Sequence, residues 1–280
     1  MTTEKSYSMN QGTRLLQGLT SKGKLIFSMK DAKEAAKGLE IPEKQLPVLL
    51  HHLAKDEWII RLKRGLYAGS GRLPGGTILD PLVIATSLVE QGAISHWSAM
   101  NYHGLTEQLP RSVTVMTTEK VYTPSMRSKD KKTGQKHARE FDGVRLEYVT
   151  VKPEHYFGIE QVWIDQHFKV SITDKERTLL EGFVSPRTFG SLSEILGLLE
   201  SHIHELDVDK LIAYALKYDT ISVIKRLGWA LEQLGIESER LQALRDYPAT
   251  GYRLLDPTKP KRGHYESRWM VQNNLKAKAE

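Results

Sequence analysis

Six side chains near the start of the chain have the types and spacing to read nucleic acid: Lys44, Gln45, Val48, His51, His52 and Lys55. Among them run Leu46, Leu49, Leu50 and Leu53, spaced i, i+3, i+4, i+7. That spacing gathers the leucines on one helix face and leaves the six on the other. The major groove of duplex DNA admits one α-helix, whose outward side chains reach base edges. Residues at the start of such a helix usually meet bases, and later ones meet phosphate. Lys44, Gln45 and Val48 are therefore assigned to bases: Gln45 can pair bidentately with adenine and Val48 can touch a thymine methyl. His51, His52 and Lys55 are assigned to phosphate or sugar. Adjacent helical residues diverge, so His51 and His52 lack the i, i+4 spacing of a metal pair.

Two further groups could hold a phosphate backbone. Arg61, Lys63 and Arg64 lie in Ile59–Ala68, where alternation around Arg64-Gly65 predicts a short basic hairpin. Ser28 and Lys30 fall at a predicted helix start, where free N–H groups favour a phosphate.

The elements that must position these residues can be read from caps and breakers. A first helix is expected over 10–26 and a second over 29–37, capped by Ser28 and stopped by Gly38. Pro42 and Pro47 lack an N–H and fit only near a helix start, so the third helix begins near Gln45 or Leu46 and runs to about Asp56. Three helices followed by a basic hairpin is the winged-helix order. A Gly-rich linker over 69–77 then separates a DNA-binding domain, 1–72, from a body, 78–280.

In the body, helices are expected over 81–90 and 95–103, and strands over 113–116, 144–151 and 168–172. Helices follow over 174–184, 191–203, 207–218, 221–234 and 238–246, then a loop-like tail over 247–263. A polar stretch over 123–143 carries Lys129, Lys131, Lys132, Lys136 and Arg139 and reads as a solvated hairpin tip or loop, or as a second nucleic-acid contact. Thr173 to Glu176 has the spacing of a capping box. Ser95 can cap its helix and Gly104 can end it. The expected fold class is α+β: an N-terminal winged helix-turn-helix domain followed by a larger mixed α/β body with a helical C-terminal part.

Charge is distributed to match. The net charge is +6, and residues 1–72 carry about 13 Lys/Arg against about 7 Asp/Glu, so the head holds nearly the whole excess. A basic module on a balanced body suits a polyanion partner. With no cysteine there is no disulfide framework and no thiolate site. The polar start Met1–Asn10 has no signal-peptide pattern, and no apolar run has the length of a membrane span. The expected location is the cytoplasm, with no membrane partner and no cofactor.

Particular segments resemble the AbiEi antitoxin family. They are Arg64-Gly65-Leu66-Tyr67, then Ile94-Ser95-His96-Trp97-Ser98-Ala99 with His103-Gly104-Leu105-Thr106 and Gln108-Leu109-Pro110, and Asp174-Lys175-Glu176-Arg177-Thr178-Leu179-Leu180. Later segments resemble its longer members: Leu211-Ile212-Ala213-Tyr214-Ala215, Lys225-Arg226-Leu227-Gly228, Leu255-Asp256-Pro257 and Arg268-Trp269. The resemblance implies a winged-helix regulator of a type IV toxin–antitoxin, or abortive infection, system. Such a protein binds inverted repeats in its own promoter and represses the operon. Its C-terminal domain helps counter a nucleotidyltransferase-like toxin, with or without touching it.

Two other classes compete. One is a metal-dependent nuclease, which needs carboxylates clustered at strand ends. Asp165 and Asp174 flank one predicted strand, but there is no Glu-x-Lys triplet in a strand-like run, no phosphate-cradling Gly-Lys-Ser/Thr loop and no His-Glu-x-x-His. Glu176 and Arg177 are the remaining catalytic candidates, and no catalytic residue is assigned. The other class is a ligand-sensing transcription factor, which would need a pocket in the body.

Overall fold

The computed structural model describes residues 2–70, 79–121, 138–141, 144–236 and 238–275. The chain divides into two compact units, residues 1–88 with 164–168, and residues 89–163 with 169–280. The helix expected at the start of the body thus belongs to the first unit.

That unit begins with α1 (Thr2–Thr20), β1 (Ile26–Ser28), α2 (Met29–Lys37) and α3 (Leu46–Lys55). It continues through β2 (Ile59–Lys63), β3 (Leu66–Gly69) and α4 (Pro81–Ser87). The first helix lies earlier than the expected 10–26 and ends before Gly23, whose φ of +69° suits a residue without a Cβ. Strand β1 went unread because three residues carry no periodicity; it exists by pairing antiparallel with β3 in the sheet β1-β3-β2. Leu15, Leu16, Leu19, Phe27, Ala32, Ala36, Leu46, Leu50 and Ile59 form one core under the helices and sheet. Each buried leucine contributes about 1.5–3 kcal/mol.

The second unit is built on a six-stranded sheet. Its strands are β4 (Gly92–Ile94), β5 (Ser112–Thr117), β6 (Ala138–Phe141), β7 (Val144–Thr150), β8 (Ile159–Trp163) and β9 (Lys169–Thr173), with α5 (His96–Tyr102) between β4 and β5. The order is β6-β7-β5-β4-β9-β8. Parallel pairs β5/β7 and β4/β9 are set among antiparallel ones, so this is a mixed sheet. Sequence reading expected only β5, β7 and β9; it missed β4, which is three residues long, β8, whose polar Glu160 and Gln161 interrupt the alternation, and β6, which lies in the stretch 123–143 read as a loop or hairpin tip.

The helical part holds α6 (Lys175–Val184), α7 (Leu192–His202), α8 (Val208–Tyr218), α9 (Ile221–Gln233) and α10 (Leu241–Asp246). The tail is not a loop throughout: β10 (Arg253–Leu254), β11 (His264–Glu266) and β12 (Val271–Asn273) form a small sheet, ordered β10-β12-β11. Trp269, between β11 and β12, is buried. It packs over Gly228 of α9, where any Cβ would collide with the indole ring. Among the described residues no helix is long and apolar enough to cross a membrane.

Candidate nucleic-acid interface

Helix α3 owes its two faces to the leucine spacing. Leu46, Leu49, Leu50 and Leu53 are buried. Lys44, Gln45, Pro47, Val48, His51, His52 and Lys55 are exposed. The helix starts where the prolines dictate: Pro47 sits in its first turn, and Gln45 precedes it in helical conformation with no side-chain cap. Val48 is 56% exposed. An isolated exposed valine is ordinary, but this one is bracketed by Lys44, Gln45, His51 and His52 on one helical surface. That surface offers donors, imidazoles and a methyl group, which is what direct base readout requires.

The β2–β3 hairpin lies in the same unit. Gly65 takes φ +77° in its tight turn, and the Gly65 carbonyl accepts from Met29 N at 2.8 Å, tying the turn to the start of α2. Strict alternation was expected along β2. Instead the register slips between Arg61 and Lys63, a bulge that buries Leu62 and leaves both Ile60 and Arg61 outward. Arg61 and Arg64 are exposed. Lys63 is not available in the same way: its Nζ donates to the Leu88 carbonyl at 3.1 Å, and the side chain is half-buried.

Ser28 is also committed. Its Oγ accepts from Asp31 N at 3.2 Å, while Asp31 Oδ2 accepts from Ser28 N at 2.8 Å and from Ser28 Oγ at 2.6 Å. This capping box fills the N–H groups on which a phosphate site was predicted. Asp31 also pairs with Lys24 at 2.8 Å, and with the Ser28 hydrogen bonds this holds its carboxyl down at about 2. A carboxylate already at the helix start repels a second anion, so the Ser28 assignment is corrected from phosphate ligand to helix cap. Lys30 remains exposed on the first turn of α2. Lys24 and Lys33 are paired, to Asp31 and Glu43, whereas Lys30, Lys44, Lys55, Arg61 and Arg64 make no ion pair among the described residues.

The body motifs turn out to be packing and hydrogen-bonding residues. Ser95 precedes α5 without a side-chain cap bond; its Oγ meets His96 Nδ1 at 2.9 Å. His96 has φ +55°, its N–H donates to Glu181 Oε2 at 2.8 Å, and its ring stacks on Phe189. His103 Nε2 donates to the Thr173 carbonyl at 2.6 Å. The expected cap at Thr173 is displaced by one residue: Asp174 caps α6 by accepting from Arg177 N at 2.8 Å, and Thr173 Oγ1 turns inward to Thr178. Glu176 does not reach back; it accepts from Asp207 N and Lys210 Nζ, which hold its carboxyl below the usual range against the opposing effect of burial. Arg177 and Glu181 form a buried i, i+4 pair at 3.5 Å. Lys225 Nζ donates to the last carbonyls of α10, and Arg226 bridges the Leu254 and Phe183 carbonyls. Asp165 accepts from His167 N and Phe168 N in a turn. The two carboxylates weighed for a nuclease are thus a turn former and a helix cap. Of the basic stretch 129–139, residues 129–137 lie outside the described residues, as do 71–77 of the predicted linker.

The fold is a mixed α+β one, with a basic helix-and-sheet unit ahead of a larger unit built on a six-stranded sheet and a helical layer. No protein-family model and no curated protein sequence matches the chain. A crystal structure of the RV2827C protein from Mycobacterium tuberculosis is similar, with a TM-score of 0.63 over 94% of this chain and 90% of that chain. At 14% identity that likeness concerns the fold alone.

Proposed function

We propose that the chain is a sequence-specific DNA-binding repressor whose first unit is a winged helix, and that it serves as the antitoxin of a type IV toxin–antitoxin pair. The observation that carries the DNA reading is the outer face of α3. It presents Lys44, Gln45, Val48, His51, His52 and Lys55 together, in a unit that also displays Arg61 and Arg64 on its hairpin. In this reading α3 enters the major groove of an inverted repeat and the hairpin turn grips the flanking backbone. Lys30 adds a phosphate contact. The antitoxin reading rests on the ordered motifs from Arg64 to Trp269 that resemble the AbiEi family. It makes the protein a cytoplasmic regulator of its own operon that counters a nucleotidyltransferase-like toxin and has no catalysis of its own.

A gel-shift titration with the promoter upstream of the gene tests the first half. Sequence-specific retardation that survives competitor DNA is expected, and retardation equal to that of random duplex refutes it. Co-expression with the adjacent reading frame tests the second half. Growth arrest by that partner alone, relieved by this chain, is expected; arrest that this chain does not relieve refutes it.

A further inference from the structure

The small C-terminal sheet has two unlike faces. Arg253, Val271 and Glu266 lie side by side across β10, β12 and β11. Val271 is buried, and Glu266 accepts from Trp229 Nε1 of α9 at 2.7 Å, so this row faces the helices. The next row is Leu254, Gln272 and Tyr265. Side chains alternate across a strand, so this row points the other way. With Tyr252 and Lys261 it lines an open groove of about 510 Å³, within the roughly 300–1,000 Å³ range of ligand sites.

The lining is aromatic and cationic. Tyr252 is 41% exposed and Tyr265 63%, with ring centroids 4.8 Å apart. Lys261 and Arg262 stand on the exposed loop that enters β11. Among the described residues no carboxylate lines the groove. Asp256 is fully buried, accepting from Leu192 N and Thr258 N, and Glu266 faces the opposite side. Exposed rings beside a cation, with no carboxylate among the described lining residues, match the two halves of a nucleotide: a base to stack and a phosphate to neutralise.

We propose that this groove binds single-stranded nucleic acid, with a base stacked on Tyr265 or Tyr252 and its phosphate on Lys261. Any base offers a π-face, so such a platform is tolerant of sequence, and duplex is excluded because its bases are already stacked. The site belongs to the second unit and α3 to the first, and the proposal does not depend on the repressor reading.

Fluorescence anisotropy of the full chain tests it, using labelled ten-nucleotide RNA and DNA single strands of mixed sequence and the matching duplex. Tyr252→Ala with Tyr265→Ala is expected to weaken single-strand binding at least about tenfold, as loss of stacking on two rings implies. Tyr252→Phe with Tyr265→Phe should retain affinity, and Lys261→Glu should weaken binding while leaving promoter-duplex binding unchanged. Arg61→Ala with Arg64→Ala should leave single-strand affinity within about twofold. Whichever of RNA or DNA binds more tightly identifies the sugar the site accepts. Absence of single-strand binding, indifference to the tyrosine substitutions, or equal loss in the Phe and Ala variants would overturn the proposal.

Discussion

Replacing Arg61 and Arg64 together by alanine is the sharpest probe of the proposed DNA contact. Both side chains are exposed and make no ion pair among the described residues, so their removal leaves the fold intact. Each phosphate contact contributes about −0.9 to the slope of log affinity against log salt. A head using Lys30, Lys55, Arg61 and Arg64 on phosphates would show a slope near −3.6, and the double variant should lie about 1.8 units shallower. Between about 50 and 200 mM salt, the native protein should then lose about tenfold more affinity than the variant. Lys63→Ala is the internal control. Its ammonium is held by the Leu88 carbonyl, so it should leave the slope unchanged and cost about 1 kcal/mol of stability through the lost hydrogen bond. Promoter binding measured by anisotropy at five or six salt concentrations decides the matter. An unchanged slope in the double variant, or an equal change in Lys63→Ala, would falsify the assignment of the hairpin to the backbone.

Gln45→Ala and Val48→Ala should each alter base preference at one promoter position by about 1–3 kcal/mol in a competition series; a uniform loss across all variant sites sinks the base-reading assignment. Gly228→Ala drives a Cβ into the Trp269 ring and should destabilise the second unit by about 1–3 kcal/mol, lowering its calorimetric Tm by about 3–10 °C. Asp31→Asn tests the cap and its titration. The folded carboxyl sits at about 2 against an ordinary 3.8, so its contribution is full above about pH 4 and is lost as pH falls toward 2. The variant should lose about 1 kcal/mol at pH 7 through the weakened cap, with the gap to the native protein closing between pH 4 and 2 in thermal melts. A gap that stays constant over that range would show that the charge on Asp31 contributes nothing.

Local rules were enough for much of the first unit. Ser28 before α2, Pro42 before α3, Pro47 in its first turn and the leucine spacing within it are local features of residues at most seven apart, and a sequence displays those directly. The same holds for the limits of α6 to α9, which fall within a residue or so of the expected bounds, with Asp174, Ser191 and Asp207 capping the first three. The outward α3 residues were legible because a helix that buries one face must expose the other.

What the sequence could not decide depends on partners far along the chain. Strands β1 and β4 are only three residues long and exist because β3, β5 and β9 offer them hydrogen bonds. The bulge at Leu62, the tie of Lys63 to Leu88 and the turning of Thr173 Oγ1 to the Ile94 carbonyl, which leaves Asp174 to cap α6, each involve a partner on another segment. In the tail, β12 pairs with both β10 and β11, and only those pairings together set Tyr252 beside Tyr265. Periodicity fixes which way a side chain faces on its own element, whereas the neighbour it meets is chosen by the folded chain's competition for space and hydrogen bonds.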